Sequence, residues 1–175
     1  MKEEQVILVD KHDNPLGEME KIEAHQKGLL HRAFSVFVLN SDNELMLQQR
    51  AAHKYHSPLL WTNTCCSHPR KGETNLEAAH RRLQEEMGFD TELKEVFSFI
   101  YKAEFDNGLI EHEFDYVFVG YYQYPPTINT EEVHRWKWMH IDTLALDIRK
   151  NPEKYTAWFK IIFDRFYNYI KENQI

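Results

Sequence analysis

The clearest structural signal in this chain of 175 residues lies in residues 67–89, which read SHPRKGETNLEAAHRRLQEEMGF. Thr74 and Glu77 have the spacing of a capping box, in which two side chains satisfy free backbone N–H groups at the start of a helix. Apolar residues then recur on one helical face, at Leu76, Ala79, Leu83 and Met87. Gly88 follows, and glycine commonly ends helices in the left-handed conformation. The stretch therefore predicts a helix over residues 76–87.

Two adjacent carboxylates, Glu85 and Glu86, lie in the last turn of this predicted helix. The negative end of the helix dipole disfavours anions there, and each glutamate has an arginine four residues earlier, at Arg81 or Arg82. Taken alone, the pattern favours a solvated face with two ion pairs. The alternative is a site in which the carboxylates meet a bound cation.

The two cysteines of the chain are neighbours, Cys65 and Cys66, in the run WTNTCCSHP at 61–69. A disulfide between adjacent cysteines requires strained geometry, so a structural bridge is disfavoured. A reactive or buried thiol is the remaining interpretation. Because His68 and the carboxylate-bearing helix follow closely, this region is predicted to carry chemistry.

The rest of the chain shows the patterns of strands, helices and turns, without a repeat or linker that divides it. Hydrophobic alternation predicts strands at 6–9, 33–39, 44–50, 97–105, 109–121 and 135–141. Helices are predicted at 22–27 and from about 156 onward, and a polar loop at 51–60. Asn107-Gly108 is a strong hairpin signal. These patterns predict one domain over residues 1–175, of class α+β, with a mixed sheet packed between helices.

Composition narrows the functional classes. The formal net charge of −7 argues against unaided binding to nucleic acid or an anionic membrane, although a local basic pocket or a bound metal would still attract a diphosphate. The start, Met1-Lys2-Glu3-Glu4-Gln5, lacks a signal-peptide core, and no apolar run reaches membrane-spanning length. A cytoplasmic address with reduced thiols is therefore expected.

A second set of carboxylates lies on the predicted strand EHEFD at 111–115, where Glu111, Glu113 and Asp115 share one face. An exposed sheet face is the commoner reason for such a row, and a cation or a shared proton is the alternative. Three histidines, His25, His31 and His68, are expected at one edge of the sheet. A lone histidine is usually structural or solvated. Together with Glu111 and Glu113, however, these three would offer five N/O ligands suited to Mg²⁺, Mn²⁺ or Zn²⁺.

The spacing within 67–89 resembles the Nudix box: Ser67, five residues, Glu73, seven residues, then RRLQEEMGF. Two positions depart from that box, because Ser67 replaces its opening glycine and Arg82 replaces a glutamate. In Nudix hydrolases the glutamates of this helix gather divalent cations that activate water. An arginine there removes a ligand and adds a repelling charge. The resemblance therefore implies the fold more strongly than the hydrolase activity.

Several motifs in the same order resemble type 1 isopentenyl-diphosphate isomerases over roughly residues 5–165. They are His25, HRAFS at 31–35, WTNTCCSHP at 61–69, the altered Nudix box, and GLIEHE at 108–113. The resemblance implies a Nudix-like mixed β-sheet sandwiched between α-helices. It also implies interconversion of isopentenyl diphosphate and dimethylallyl diphosphate, with Cys66 and Glu113 as the acid/base pair and Tyr101 hydrogen-bonding near the carboxylate. Cys65 would face the core.

The resemblance also implies how metal and substrate are held. A divalent metal (Mg²⁺, Mn²⁺ or Zn²⁺) would be held by His25, His31, His68, Glu111 and Glu113, and Glu86 would help to hold a second Mg²⁺ on the diphosphate. The implied substrate-binding residues are Lys21, Arg50, Lys54, Arg82, Trp61 and Trp158. Surface charge is the plain alternative for Lys21 and Lys54, and core packing is the alternative for the two tryptophans.

Two other functions remain open from the sequence: a Nudix hydrolase of a diphosphate substrate, and a non-catalytic diphosphate-binding module. Arg82 opposes the first, and the presence of both Cys66 and Glu113 opposes the second. The expected partner is a small-molecule isoprenyl diphosphate, with the protein as a monomer or homodimer. The aromatic last helix is expected to be either a lid or an interface.

Overall fold

The computed structural model describes residues 4–173. Its strands are β1 (Gln5–Val9), β2 (Pro15–Glu20), β3 (His31–Leu39), β4 (Glu44–Arg50), β5 (Trp61–Thr62), β6 (Cys65–Ser67), β7 (Leu93–Glu104), β8 (Ile110–Tyr121) and β9 (Val133–His140). Its helices are α1 (Lys21–Lys27), α2 (Asn75–Met87), α3 (Ile141–Lys150) and α4 (Ala157–Asn173), with a short 3₁₀ turn at Pro152–Lys154. Within the described part of the chain, no helix is long and apolar enough to cross a bilayer.

The strands form one mixed sheet with β3 near its centre. β3 pairs in parallel with β8, so that His31 lies beside Glu113, and it pairs antiparallel with β6, so that Ser35 lies opposite Cys66. β7 pairs antiparallel with β8 and places Tyr101 opposite Glu113. Three strands thus bring residues that are distant in sequence to one region of the sheet.

Helices cover both faces of this sheet. Along β3, Phe37 and Leu39 pack on one face with residues of α3 and α4, whereas Val36 and Val38 pack on the other face with α2. This alternation follows from the period of two along a strand. The predicted α+β sandwich is confirmed.

The capping box of α2 forms as the sequence predicts. The Thr74 side chain accepts a hydrogen bond from the Glu77 backbone N–H at 3.1 Å, and Glu77 accepts one from the Thr74 N–H at 2.8 Å. Gly88 ends the helix with φ 71°, and a Cβ at that position would meet the Thr127 carbonyl oxygen at 2.2 Å. Only glycine therefore fits the end of this helix.

The sequence patterns missed two elements. Strand β2 was not predicted, because it is an edge strand with a mostly exposed sequence that begins at a proline. Helix α3 was also missed, since the predicted strand 135–141 runs straight into it. The hairpin turn at Asn107-Gly108 and the left-handed Gly28 that ends α1 are confirmed.

Candidate active site and metal centre

Most of the candidate residues line one cavity of about 820 Å³. These are Lys21, Arg50, Lys54, Cys66, His68, Arg82, Glu86, Tyr101, Glu111, Glu113 and Trp158. Trp61 does not belong to the lining, and its ring lies 4.1 Å from the Lys137 ammonium. The predicted contact of Trp61 with substrate therefore has no support in the geometry.

Four side chains form a group with the geometry of a metal centre; His68 and Glu113 of this group line the cavity, whereas His25 and His31 do not. The potential ligand atoms of His25, His31, His68 and Glu113 all lie within 4.8 Å of one another. His31 donates through Nδ1 to the Leu29 carbonyl at 2.8 Å. A free lone pair therefore remains on its Nε2, where it could bind a metal. His25 Nε2 and His31 Nε2 are buried without a hydrogen-bond partner among residues 4–173.

These orphaned nitrogens fit a divalent cation, because buried polar atoms are otherwise paired. Burial, followed by the charge of His68, lowers the pKa of His25 to about 3, which keeps its lone pair available. Burial acts against the charged form of His68, but its hydrogen bond to Glu113 and the nearby carboxylate of Glu4 prevail and raise its pKa to about 9. Burial likewise opposes ionisation of Glu113, yet His31 and His68 hold its pKa well below the usual range. The centre therefore contains an ionised carboxylate.

Glu111 lies beside this group rather than in it. The Tyr101 hydroxyl contacts Glu113 Oε2 at 2.6 Å and Glu111 Oε2 at 3.0 Å. Burial, together with the neighbouring charge of Glu113, raises the pKa of Glu111 well above its usual range. A direct bond from Glu111 to a metal stays a prediction, whereas its contact with Tyr101 is formed.

Cys66 reaches the cavity from β6, whereas Cys65 is fully buried on the opposite face among residues that pack on α2. The expected core position of Cys65 is confirmed. Burial and then the charge of Glu86 raise the pKa of the Cys66 thiol well above its usual value. Cys66 is therefore a thiol at neutral pH and has a proton to donate.

Alkylation tests this protonation state. In a Cys65→Ala variant without added metal, we expect iodoacetamide to modify Cys66 slowly at pH 7, with a rate that rises about tenfold per pH unit through pH 9, because the thiolate is the nucleophile. Mass spectrometry of the labelled protein measures the rate, and a Cys66→Ala protein gives the background. A rate that is already constant above pH 7.5 would contradict the raised pKa.

The cavity also carries the cations predicted to hold a diphosphate. Lys21 is paired with Glu4, Lys54 with Glu132, and Arg82 with Glu85 and Glu86. Glu86 also accepts a hydrogen bond from Gln48 Nε2 at 2.8 Å. For Arg50 the contact of note is with an aromatic ring, because its guanidinium lies 5.0 Å from the centre of the Trp158 ring.

Four lining residues that the sequence patterns did not single out belong to this site: Glu4, Gln48, His56 and Glu132. Glu4 and Glu132 pair with the lysines, and Gln48 holds Glu86. His56 is buried in the loop before β5 and lies 3.4 Å from Glu111. One histidine of ten in an irregular loop carries no periodic signal that would have identified it.

A mixed sheet between helices, with the carboxylate-bearing α2 beside the cavity, defines a Nudix domain, and the NUDIX domain family matches residues 29–159. A crystal structure from Deinococcus radiodurans shares the fold at a TM-score of 0.77 and 20% identity, covering 93% of this chain and 98% of that chain. The isopentenyl-diphosphate Delta-isomerase 2 of Aromatoleum aromaticum is 56% identical over 163 residues, 93% of this chain and 86% of that protein. The chain belongs to the isopentenyl-diphosphate Delta-isomerase family.

A further relative supports that assignment. The isopentenyl-diphosphate Delta-isomerase of Serratia proteamaculans is 54% identical over 160 residues, covering 91% of this chain and 89% of the relative. The family implied by the sequence motifs is therefore confirmed. The Nudix fold is confirmed as well, although Ser67 and Arg82 depart from the sequence of the Nudix box.

Proposed function

We propose that this protein interconverts isopentenyl diphosphate and dimethylallyl diphosphate by protonating and deprotonating the substrate, with Cys66 and Glu113 as the two acid/base groups. The observation that carries the proposal is that a protonated thiol and an ionised carboxylate line one cavity beside a histidine group suited to a metal. A diphosphate hydrolase needs an activated water and has no use for this thiol. The family assignment points to the same reaction.

The reaction moves a double bond without net loss of a proton. One group adds a proton to the terminal alkene carbon, the positive charge develops on the tertiary carbon, and the second group removes a proton from the neighbouring carbon. Cys66 on β6 and Glu113 on β8 approach the cavity from strands on either side of β3. Tyr101 donates to Glu113 and thereby fixes the orientation of that carboxyl group.

A carbocation is quenched by water, so the hydrocarbon end of the substrate requires a closed, aromatic surround. Trp158 lines the cavity and is only 2% exposed. Its indole face is suited to stabilise the developing positive charge. We propose this role for Trp158 alone, because Trp61 lies outside the lining.

We propose two metal sites. His25, His31, His68 and Glu113, with Glu111 alongside, would hold one divalent cation, Mg²⁺, Mn²⁺ or Zn²⁺, and Glu86 would help to hold a Mg²⁺ that arrives with the diphosphate. When bound, these cations supply positive charge that stabilises the diphosphate and tunes the acidity of Glu113. Lys21, Arg50, Lys54 and Arg82 bind the remaining phosphate oxygens.

Removing Arg82 tests the diphosphate receptor, which is the proposed set of four cations Lys21, Arg50, Lys54 and Arg82. We expect Arg82→Ala to raise KM for isopentenyl diphosphate about tenfold to a hundredfold, because a hydrogen bond between charged groups contributes about 1.5–3 kcal/mol. Steady-state kinetics measure the change, with Arg149→Ala at the exposed end of α3 as the control. An unchanged KM in Arg82→Ala would remove Arg82 from the receptor.

The proposed activity itself is tested by proton NMR of the protein with isopentenyl diphosphate and Mg²⁺ in D₂O. Formation of dimethylallyl diphosphate with deuterium incorporation is the expected result. Release of phosphate with an unchanged alkene would instead indicate a hydrolase. Binding of metal and diphosphate without either reaction would indicate a non-catalytic module.

We further propose that the protein acts in the cytoplasm on a small isoprenyl diphosphate, as a monomer or homodimer, without nucleic-acid or membrane partners. The net charge of −7 and the two free cysteines support this setting. Light scattering of the purified protein would decide between the two oligomeric states.

A further inference from the structure

Tyr55 lies in the loop between β4 and β5 and lines the cavity. Its backbone carbonyl accepts a hydrogen bond from Asn107 Nδ2 at 3.1 Å, so the turn between β7 and β8 holds the loop at this point. The ring packs edge-on against the ring of His56, with their centres 4.4 Å apart, and the Lys21 ammonium lies 5.2 Å from the Tyr55 ring centre. Contacts to both backbone and ring therefore fix this side chain, although the residue is 36% exposed.

The hydroxyl of Tyr55 contacts a buried residue of the metal group. Tyr55 Oη lies 3.4 Å from His25 Nδ1, and His25 itself is only 1% exposed. The other ring nitrogen of His25, Nε2, is buried without a hydrogen-bond partner among residues 4–173. Because His25 is one of the four potential metal ligands, Nε2 is the nitrogen left for an ion.

A histidine that binds a metal gives one lone pair to the ion and carries its proton on the other ring nitrogen. With Nε2 on the ion, the Nδ1–H of His25 would be a buried donor, and such a donor is costly without an acceptor. Tyr55 Oη is placed to be that acceptor. His31 shows the same arrangement, because its Nδ1 contacts the Leu29 carbonyl at 2.8 Å while its Nε2 has no partner within the described residues.

We propose that Tyr55 is a positioning residue of the metal centre: its hydroxyl oxygen accepts the Nδ1–H of His25 and thereby fixes which nitrogen of His25 meets the ion. The inference rests on the proposed function of the histidine group as a metal centre. Packing alone does not account for the hydroxyl, since a phenylalanine ring would make the same contacts with His56 and with the Lys21 ammonium.

The test removes the acceptor and keeps the ring. We expect Tyr55→Phe to lower the affinity of the full chain for Zn²⁺ about tenfold to a hundredfold, because losing the partner of a ligating histidine has an effect of that size. Competition with a chromophoric chelator measures the affinity. Tyr124→Phe, the same change at a tyrosine that is 66% exposed, is the control and should leave the affinity unchanged. His25→Ala should lower the affinity at least as much as Tyr55→Phe, which shows that the measured ion lies in the histidine group.

Unchanged affinity in Tyr55→Phe, together with a loss in His25→Ala, would overturn this inference alone, whereas unchanged affinity in both variants would overturn the proposed metal centre as well. A crystal structure of the Zn²⁺-loaded parent gives a second readout. His25 should bind the ion through Nε2, with Nδ1 about 2.7–3.2 Å from Tyr55 Oη. Coordination through Nδ1 would overturn the inference. If the parent did not isomerise the substrate, the proposed reaction would fail, while both readouts would still decide the role of Tyr55.

Discussion

Replacing Cys66 by alanine is expected to lower kcat for isopentenyl diphosphate by about a hundredfold to ten-thousandfold, because a positioned general acid or base contributes about 10²–10⁴ to the rate. The cavity offers the substrate this thiol on β6, with a pKa raised by burial and by Glu86 so that the proton stays on sulfur. The alanine variant should still bind the substrate, since the cations of the diphosphate receptor are unchanged. The proton NMR assay in D₂O measures both turnover and deuterium incorporation.

The adjacent cysteine provides a matched control. Cys65 is fully buried on the other face of the same strand, so Cys65→Ala should lower the free energy of unfolding by about 1 kcal/mol and leave kcat nearly unchanged. Chemical denaturation measures the first quantity, and the same NMR assay measures the second. Equal losses of kcat in the two variants would show that the substitutions act through the fold rather than through proton transfer.

Local signals explain why the sequence predicts α2 so well. Thr74, Glu77 and Gly88 determine where the helix begins and ends, and all three act within a few residues of their own position. Strand β2 and helix α3 lack such signals: the first is a polar edge strand, and the second begins with Ile141, which reads as the end of β9. Tertiary context, rather than local preference, determines both elements.

The candidate site also has features that the sequence can predict and features that only the fold creates. The residue types of the metal centre can be listed from the sequence, but their meeting depends on the parallel pairing that sets His31 beside Glu113. Parallel pairing joins segments about eighty residues apart and leaves no local trace. The resemblance to a family supplied that information. It did not supply His56, whose contact with Glu111 becomes visible only in the folded chain.

Glu113→Gln is expected to lower kcat to a similar extent, by about a hundredfold to ten-thousandfold, because Glu113 joins the acid/base cluster to the metal centre. The amide keeps the size of the side chain but loses the charge that His68 contacts at 3.1 Å and His31 at 3.5 Å. We therefore also expect the affinity for Zn²⁺ to fall, by about tenfold to a hundredfold, as measured by competition with a chromophoric chelator.

These two readouts separate the two roles of Glu113. Glu104→Gln, at the exposed end of β7, is the control for the removal of one surface charge and should change neither quantity. Loss of turnover with unchanged Zn²⁺ affinity would make Glu113 an acid/base group that does not bind the metal. Loss of Zn²⁺ affinity with turnover restored at saturating Mg²⁺ would make it a metal ligand only, and the second acid/base group would then have to be sought in Glu111, the other carboxylate that Tyr101 contacts.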